Sequence, residues 1–340
     1  MDIWLVKFIN EGEFTLETTY KSKKAKKRFL AFLMVFLLGI LGFFILRHHY
    51  NENKEKVNIP IAMALDDGYL YPTIVSITSM MENKSKNSYY EFYIMHPAEF
   101  SEDSKHKLKT LERKYSGCSI NLIDMTDKYK NAYDIGHITT PAYYRLSLSD
   151  LLPDKDKVLW LDGDTLIFKD LRSMYNLDMT GLYYRGFLDN SPRLPEKFGI
   201  YDNDHYICDG VMAVNLEELR KDDMVRKFND FIEKNNDKLV QHDQTVINIL
   251  CYKKIKKLPT VFGFINYYNT AKEARNYTEC LIAKDSYSKE DMEYGFNNVE
   301  VLHCVNKPWK EPRAPFAKVW WNYARKTSYF EEIKTKYPVI

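Results

Sequence analysis

The sequence has no CxxC pair: Cys118, Cys208, Cys251, Cys280 and Cys304 stand far apart, which argues against a paired-cysteine zinc site. Five is also an odd number, so an oxidising compartment would leave at least one thiol unpaired. Internal repeats and low-complexity linkers are missing, so residues 59–340 read as one domain. A basic face is missing as well. The formal net charge is +2, yet residues 1–58 carry ten Lys/Arg against six Asp/Glu, leaving 39 against 41 for the remainder. That slightly acidic remainder lacks the cationic footprint of a nucleic-acid binder.

Long charge-free apolar runs are absent too, with one exception. Phe29–Leu46 reads FLAFLMVFLLGILGFFIL. At about 1.5 Å per residue a helix of this length spans roughly 27 Å, enough for a thin bilayer core. Lys21, Lys23, Lys24, Lys26, Lys27 and Arg28 precede it, and the positive-inside rule then leaves the N-terminus in the cytosol. No small-x-small cleavage site follows, which favours an uncleaved signal anchor. The expected organisation is a basic cytosolic tail (1–28), a transmembrane anchor (29–46), a short polar stem (47–58) and a globular domain (59–340). Two acceptor sequons, Asn83-Lys84-Ser85 and Asn276-Tyr277-Thr278, are compatible with a lumenal domain.

Aromatic residues, by contrast, are plentiful. The 26 tyrosines offer stacking faces and hydroxyls that suit bases and sugars, although an AT-rich genome would enrich Tyr equally well. From Ile59 onward, strand and helix patterns alternate. IPIAMAL (59–65), YYEFYIM (89–95), Ser119–Met125 and VLWL (158–161) read as strands; 73–81, 101–116 and 141–152 read as helices. Such alternation predicts an α/β fold, a mostly parallel sheet with helices on both faces. Ligands in such sheets bind at the carboxyl ends of the strands. The apolar spacing of Phe316, Trp320, Tyr323 and Phe330 predicts a C-terminal helix packed onto the domain.

One strand end stands out. VLWL runs directly into Asp162-Gly163-Asp164, and apolar residues resume immediately. Two carboxylates flanking a glycine can converge on one hard cation, with Gly163 permitting close backbone approach. An Asx-type turn satisfying its own backbone is the structural alternative. Charged residues set between apolar ones are costly to bury without a counter-ion, which favours the cation.

Several ordered segments resemble the family 8 glycosyltransferases across about 59–335: ALDDGY (64–69), TPAYYRLSLSDLLP (140–153), LDGD (161–164), GFLDN (186–190), YICDGVMAVNL (206–216), HDQTVIN (242–248) and HCVNKPW (303–309). The resemblance implies a GT-A-like, Rossmann-type mixed sheet and retaining transfer of a hexose (galactose or glucose) from a UDP-sugar to a glycan, glycolipid or glycoprotein. By the same resemblance, Asp162, Asp164 and His303 hold Mn²⁺ or Mg²⁺. Ala64, Asp66 and Tyr69 grip uracil and ribose, and Arg145, Gly163 and Lys307 complete the donor site. Asp189, Asp243 and Gln244 face the donor sugar as the catalytic set. Since a periplasm lacks nucleotide sugars, this chemistry places the domain in a Golgi or ER lumen. Gly68, Cys208-Asp209 and the short His303–Lys307 spacing depart from the family pattern. They keep open a catalytically weak nucleotide-sugar-binding protein, or a nucleotide-sugar hydrolase.

Overall fold

The computed structural model describes residues 23–52, 56–126, 128–129, 140–189, 198, 206–235, 239, 241–276 and 286–338. Cys280, Thr278 and most of the N-terminal tail lie outside them. The chain divides into two units, 1–55 and 56–340. In the first, Lys23–Glu52 is one helix. Its window Lys27–Phe44 has a mean hydropathy of 2.0 and is the one stretch among the described residues long and apolar enough to cross a membrane.

The second unit is built on a seven-stranded sheet in the order β3-β2-β1-β4-β7-β6-β8. Its strands are β1 (Val57–Ala64), β2 (Ser88–His96), β3 (Cys118–Asp124), β4 (Lys157–Leu161), β6 (Tyr184–Leu188), β7 (Ile207–Asn215) and β8 (Ile255–Lys257). β1 pairs in parallel with β2 and β4, and β2 with β3. β7 runs antiparallel to both β4 and β6, which makes the sheet mixed. Alternate residues feed opposite layers: Val158, Trp160, Met212 and Val214 join one apolar cluster, Leu159, Leu161, Val211 and Ala213 the other. Burial on both faces explains why these strands read as continuous apolar runs.

A three-stranded sheet, β5-β10-β9, adjoins it: β5 (Thr165–Ile167), β9 (Phe262–Ile265) and β10 (Val301–His303). The antiparallel β10–β5 register sets His303 opposite Thr165, next to Asp164. That pairing brings segments far apart in the sequence into one site.

Two expectations need correction. The helix expected over 141–152 is a 3-10 stretch, Thr140–Ser147, and then one α-turn, Leu148–Leu151. Six of its eight residues are buried, so there is no solvent-facing stripe, and the tighter winding turns Tyr143, Tyr144 and Arg145 all inward. The C-terminal segment is two helices, Ala317–Ala324 and Phe330–Lys336, packed onto the core through Trp320, Trp321 and Ile333. The Asn83 amide nitrogen lies within hydrogen-bond distance of the Ser79 carbonyl (2.9 Å), the Ile167 carbonyl (2.9 Å) and the Tyr323 hydroxyl (2.7 Å), two of which its N–H groups can serve at once.

Candidate active site

β1 and β4 are parallel neighbours, so the segment after β1 (Asp66 to Tyr69) and the one after β4 (Asp162 to Asp164) emerge side by side. The Asp162 N–H donates to the Gly210 carbonyl at 2.8 Å, tying the acidic turn to β7. Gly163 permits a close approach, as expected: a Cβ there would stand 2.2 Å from Thr73 Oγ1 on the helix Leu70–Asn83.

One donor atom each from Asp162, Asp164 and His303 lie within 4.8 Å of one another. His303 Nε2 is 3.2 Å from Asp164 Oδ1 and 3.8 Å from Asp162 Oδ2. Asp164 Oδ1 is buried without an aligned hydrogen-bond donor. An oxygen and a ring nitrogen facing each other in this way can share either a proton or a cation. Mixed N/O donors suit Mn²⁺ better than Ca²⁺.

Charge balance points the same way. Asp162, Asp164, Asp209 and Asp243 face two permanent cations, Arg145 and Lys307. Burial raises the carboxyl of Asp162, with Arg145 opposing it and Asp164 adding to the rise. Asp164 goes the other way: burial pushes it up, but Lys307 and His303 hold it well below the usual carboxylate range. For His303, burial disfavours the cation, yet Asp164 and Cys208 hold the ring protonated well above its ordinary value. The proton favoured on His303, with those favoured on Asp162, Asp209 and Asp243, offsets part of the cluster's negative charge.

Arg145 is the hub. Its Nη2 lies 3.2 Å from Asp162 Oδ1, Nη1 3.0 Å from Asp209 Oδ1, and Nε 2.7 Å from Asp243 Oδ2. The guanidinium stacks 4.5 Å above the ring of Trp160, whose Nε1 also donates to Asp162 Oδ1 at 2.8 Å. Burial raises Asp209 well above the ordinary carboxyl value and raises Asp243, with Arg145 opposing both. Arg145 thus joins Asp162 to the carboxylate beside Gln244. Gln244 Nε2 donates to Asp189 Oδ2 at 2.8 Å, and its Oε1 accepts from the Asp209 N–H at 3.4 Å. Every residue expected in the catalytic and metal sets therefore falls within one connected network.

At the end of β1, the Tyr69 N–H donates to Asp66 Oδ1 at 3.1 Å, and Ala64 is the last residue of the strand. Tyr69 sits edge-on to Trp309, with the Lys307 ammonium 5.7 Å from its ring centre. The short His303–Lys307 segment does reach the site: Lys307 Nζ pairs with Asp164 Oδ2. Asn266 fixes that segment. Its N–H donates to the His303 carbonyl (3.1 Å), its Nδ2 to the Asn306 carbonyl (2.7 Å), and its Oδ1 accepts from the Asn306 N–H (2.9 Å).

Sequence reasoning missed several parts. Gly210 is one: a Cβ there would stand 2.2 Å from Cε1 and 2.7 Å from Nε2 of His303, so the ring packs against bare backbone. Gly210→Ala is expected to weaken divalent-ion binding about 100-fold, the upper range for displaced ligand geometry, with folding retained. Calorimetric titration beside a thermal melt checks it, and unchanged affinity would refute the steric argument. Asp209 was read only as a departure from a pattern. His242, buried at the head of the helix His242–Leu250 with φ +45°, carries backbone strain beside Asp243 and Gln244. Nothing in the local sequence signals that strain.

The strand order, the acidic turn closing β4 and the flanking β10 define a GT-A-like glycosyltransferase fold. The chain belongs to glycosyl transferase family 8, whose pattern it matches over residues 60–312. It is 24% identical over 286 residues to General stress protein A of Bacillus subtilis, covering 81% of this chain and 96% of that one. It is 25% identical over 294 residues to the Lipopolysaccharide 1,2-glucosyltransferase of Escherichia coli, covering 82% and 78%. Among solved structures it resembles the galactosyltransferase LgtC in complex with donor and acceptor sugar analogs, with a TM-score of 0.64 and 22% identity, covering 83% of this chain and 97% of that one. It spans about half (51%) of the bifunctional glycosyltransferase WbbM, with a TM-score of 0.65.

Proposed function

We propose that the domain transfers galactose or glucose from a UDP-sugar to a glycan or glycoconjugate, with retention at the anomeric carbon and with Mn²⁺ or Mg²⁺ bound by Asp162, Asp164 and His303. The observation that carries this reading is the convergence of donor atoms from those three residues beside Lys307. The ion would supply Lewis-acid stabilisation of the diphosphate leaving group. Lys307 adds a fixed positive charge where negative charge develops. Arg145 acts through the carboxylates it holds, fixing Asp162 on one side and Asp243 on the other.

Gln244 is oriented by Asp189 and by the Asp209 backbone. Its neutral amide cannot serve as the carboxylate nucleophile of ordinary retaining hydrolases. We therefore assign deprotonation of the acceptor hydroxyl to the departing phosphate on the same face of the sugar. The E. coli 1,2-glucosyltransferase and the galactosyltransferase LgtC, solved with donor and acceptor sugar analogs, support the substrate class.

We read residues 29–46 as a signal anchor holding 47–340 in a Golgi or ER lumen, where a UDP-sugar and membrane-bound acceptors meet. Digestion of a C-terminal epitope by protease added to sealed microsomes would sink this topology.

The functional test is a donor screen on the full chain in detergent, with Mn²⁺ or with chelator, against a glycan panel. Acceptor-dependent UDP release supports transfer. Acceptor-independent sugar release would make it a hydrolase, and binding without turnover a nucleotide-sugar-binding protein. Ion binding must also expel the His303 proton. Affinity should therefore rise with pH, by up to tenfold per unit, until the raised value of the ring is passed. Calorimetry in buffers of different ionisation enthalpy measures the proton released.

A further inference from the structure

His303 offers one ring nitrogen to the acidic pair, so the other decides how firmly the ring is held. Metal-bound histidines usually donate that second N–H to a carboxylate, a backbone carbonyl or water. Here the atom facing Nδ1 is the sulfur of Cys208, 3.6 Å away. Both residues are buried, at 9% and 6% exposure, which makes a competing water partner hard to fit. Cys208 lies on β7 two residues before Gly210, whose bare backbone packs against the same ring. One strand therefore constrains the imidazole twice, by a thiol facing Nδ1 and by a glycine that leaves room for the ring. Asp162 and Asp164 lie on the Nε2 side.

We propose that Cys208 is a positioning residue for the metal site, accepting the Nδ1–H hydrogen bond of His303 and so keeping the Nε2 lone pair aimed at the ion. The assignment rests on the metal reading above. Sulfur suits the position because hydrogen bonds to it are long. A serine hydroxyl, on a C–O bond roughly 0.4 Å shorter, would fall outside the ordinary 2.7–3.2 Å range unless the strand moved. The thiol is a weak acceptor, so it holds the ring with less pull than a carboxylate would.

The test compares Cys208→Val, which fills the space without an acceptor, with Cys208→Ala and Cys208→Ser. Ion affinity by calorimetry should fall about 10- to 100-fold in the Val and Ala variants, the usual effect of losing such a partner, with Ser between them and wild type. Nitrogen-15 spectra of the Mg²⁺-loaded wild-type full chain in detergent provide a readout independent of any variant. They should show His303 protonated on Nδ1 alone, and the Val variant should lose that single-tautomer signature. Wild-type affinity in Cys208→Val, or a wild-type proton on Nε2, would overturn the proposal. Failure of the wild type to bind Mn²⁺ or Mg²⁺ would instead overturn the metal reading.

Discussion

Asp164→Asn is expected to abolish metal-dependent transfer, lowering turnover about 10³-fold or more. The amide fills the same space, so packing of this nearly fully buried side chain is conserved. What disappears is one negative charge and the anionic oxygen that faces His303 Nε2 at 3.2 Å. An ion held by the remaining donors would bind weakly and sit off-centre relative to Lys307, which would itself lose its partner. A loss of that size corresponds to about 4 kcal/mol, within the several kcal/mol expected of Lewis-acid stabilisation. The same substitution should release His303 from its raised ionisation, because Asp164 is the largest influence holding the proton there. UDP binding with and without Mn²⁺ separates the two consequences from misfolding. Wild-type turnover in a metal-saturated variant would remove Asp164 from the site.

How much of this site could be read in the sequence depends on the direction of the constraint. The acidic turn was legible because apolar strands bracket it: a buried sheet forces an unbroken run up to Leu161, and the change to Asp162 marks the strand end. Asp189, Asp243, Gln244 and His303 were identified by resemblance and fall in the network. What stayed hidden depends on pairing across the sheets. Gly210 matters because β7 runs antiparallel to β4 and carries its carbonyl to Asp162. Cys208 matters because β10 turns His303 toward it, a contact between residues 95 positions apart. Local periodicity carries no trace of either. The helix expected at 141–152 failed for a related reason. Full burial erases the amphipathic stripe by which a helix is recognised, and Arg145 points inward only because three aspartates from separate strands and a helix await it.

Arg145→Met is expected to destabilise the ion-free domain by about 3–5 kcal/mol near neutral pH, the usual effect of stripping one partner from a buried charge cluster. Methionine replaces much of the volume over Trp160 but leaves Asp162, Asp209 and Asp243 without their common cation. The pH dependence distinguishes this from lost packing. In the wild type, burial already raises Asp209 and Asp243, and Arg145 is the first influence opposing that rise. Between the ordinary carboxyl value and the raised one, the folded chain holds protons that the unfolded chain has released. Stability therefore falls as pH rises through that window. Removing Arg145 pushes both groups higher and steepens the fall, so the gap between variant and wild type should widen from pH 5 to pH 8. Urea unfolding in chelator at the two pH values measures it. A gap that stays constant with pH would mean Arg145 contributes volume and stacking alone, leaving the acidic network to be balanced by other groups.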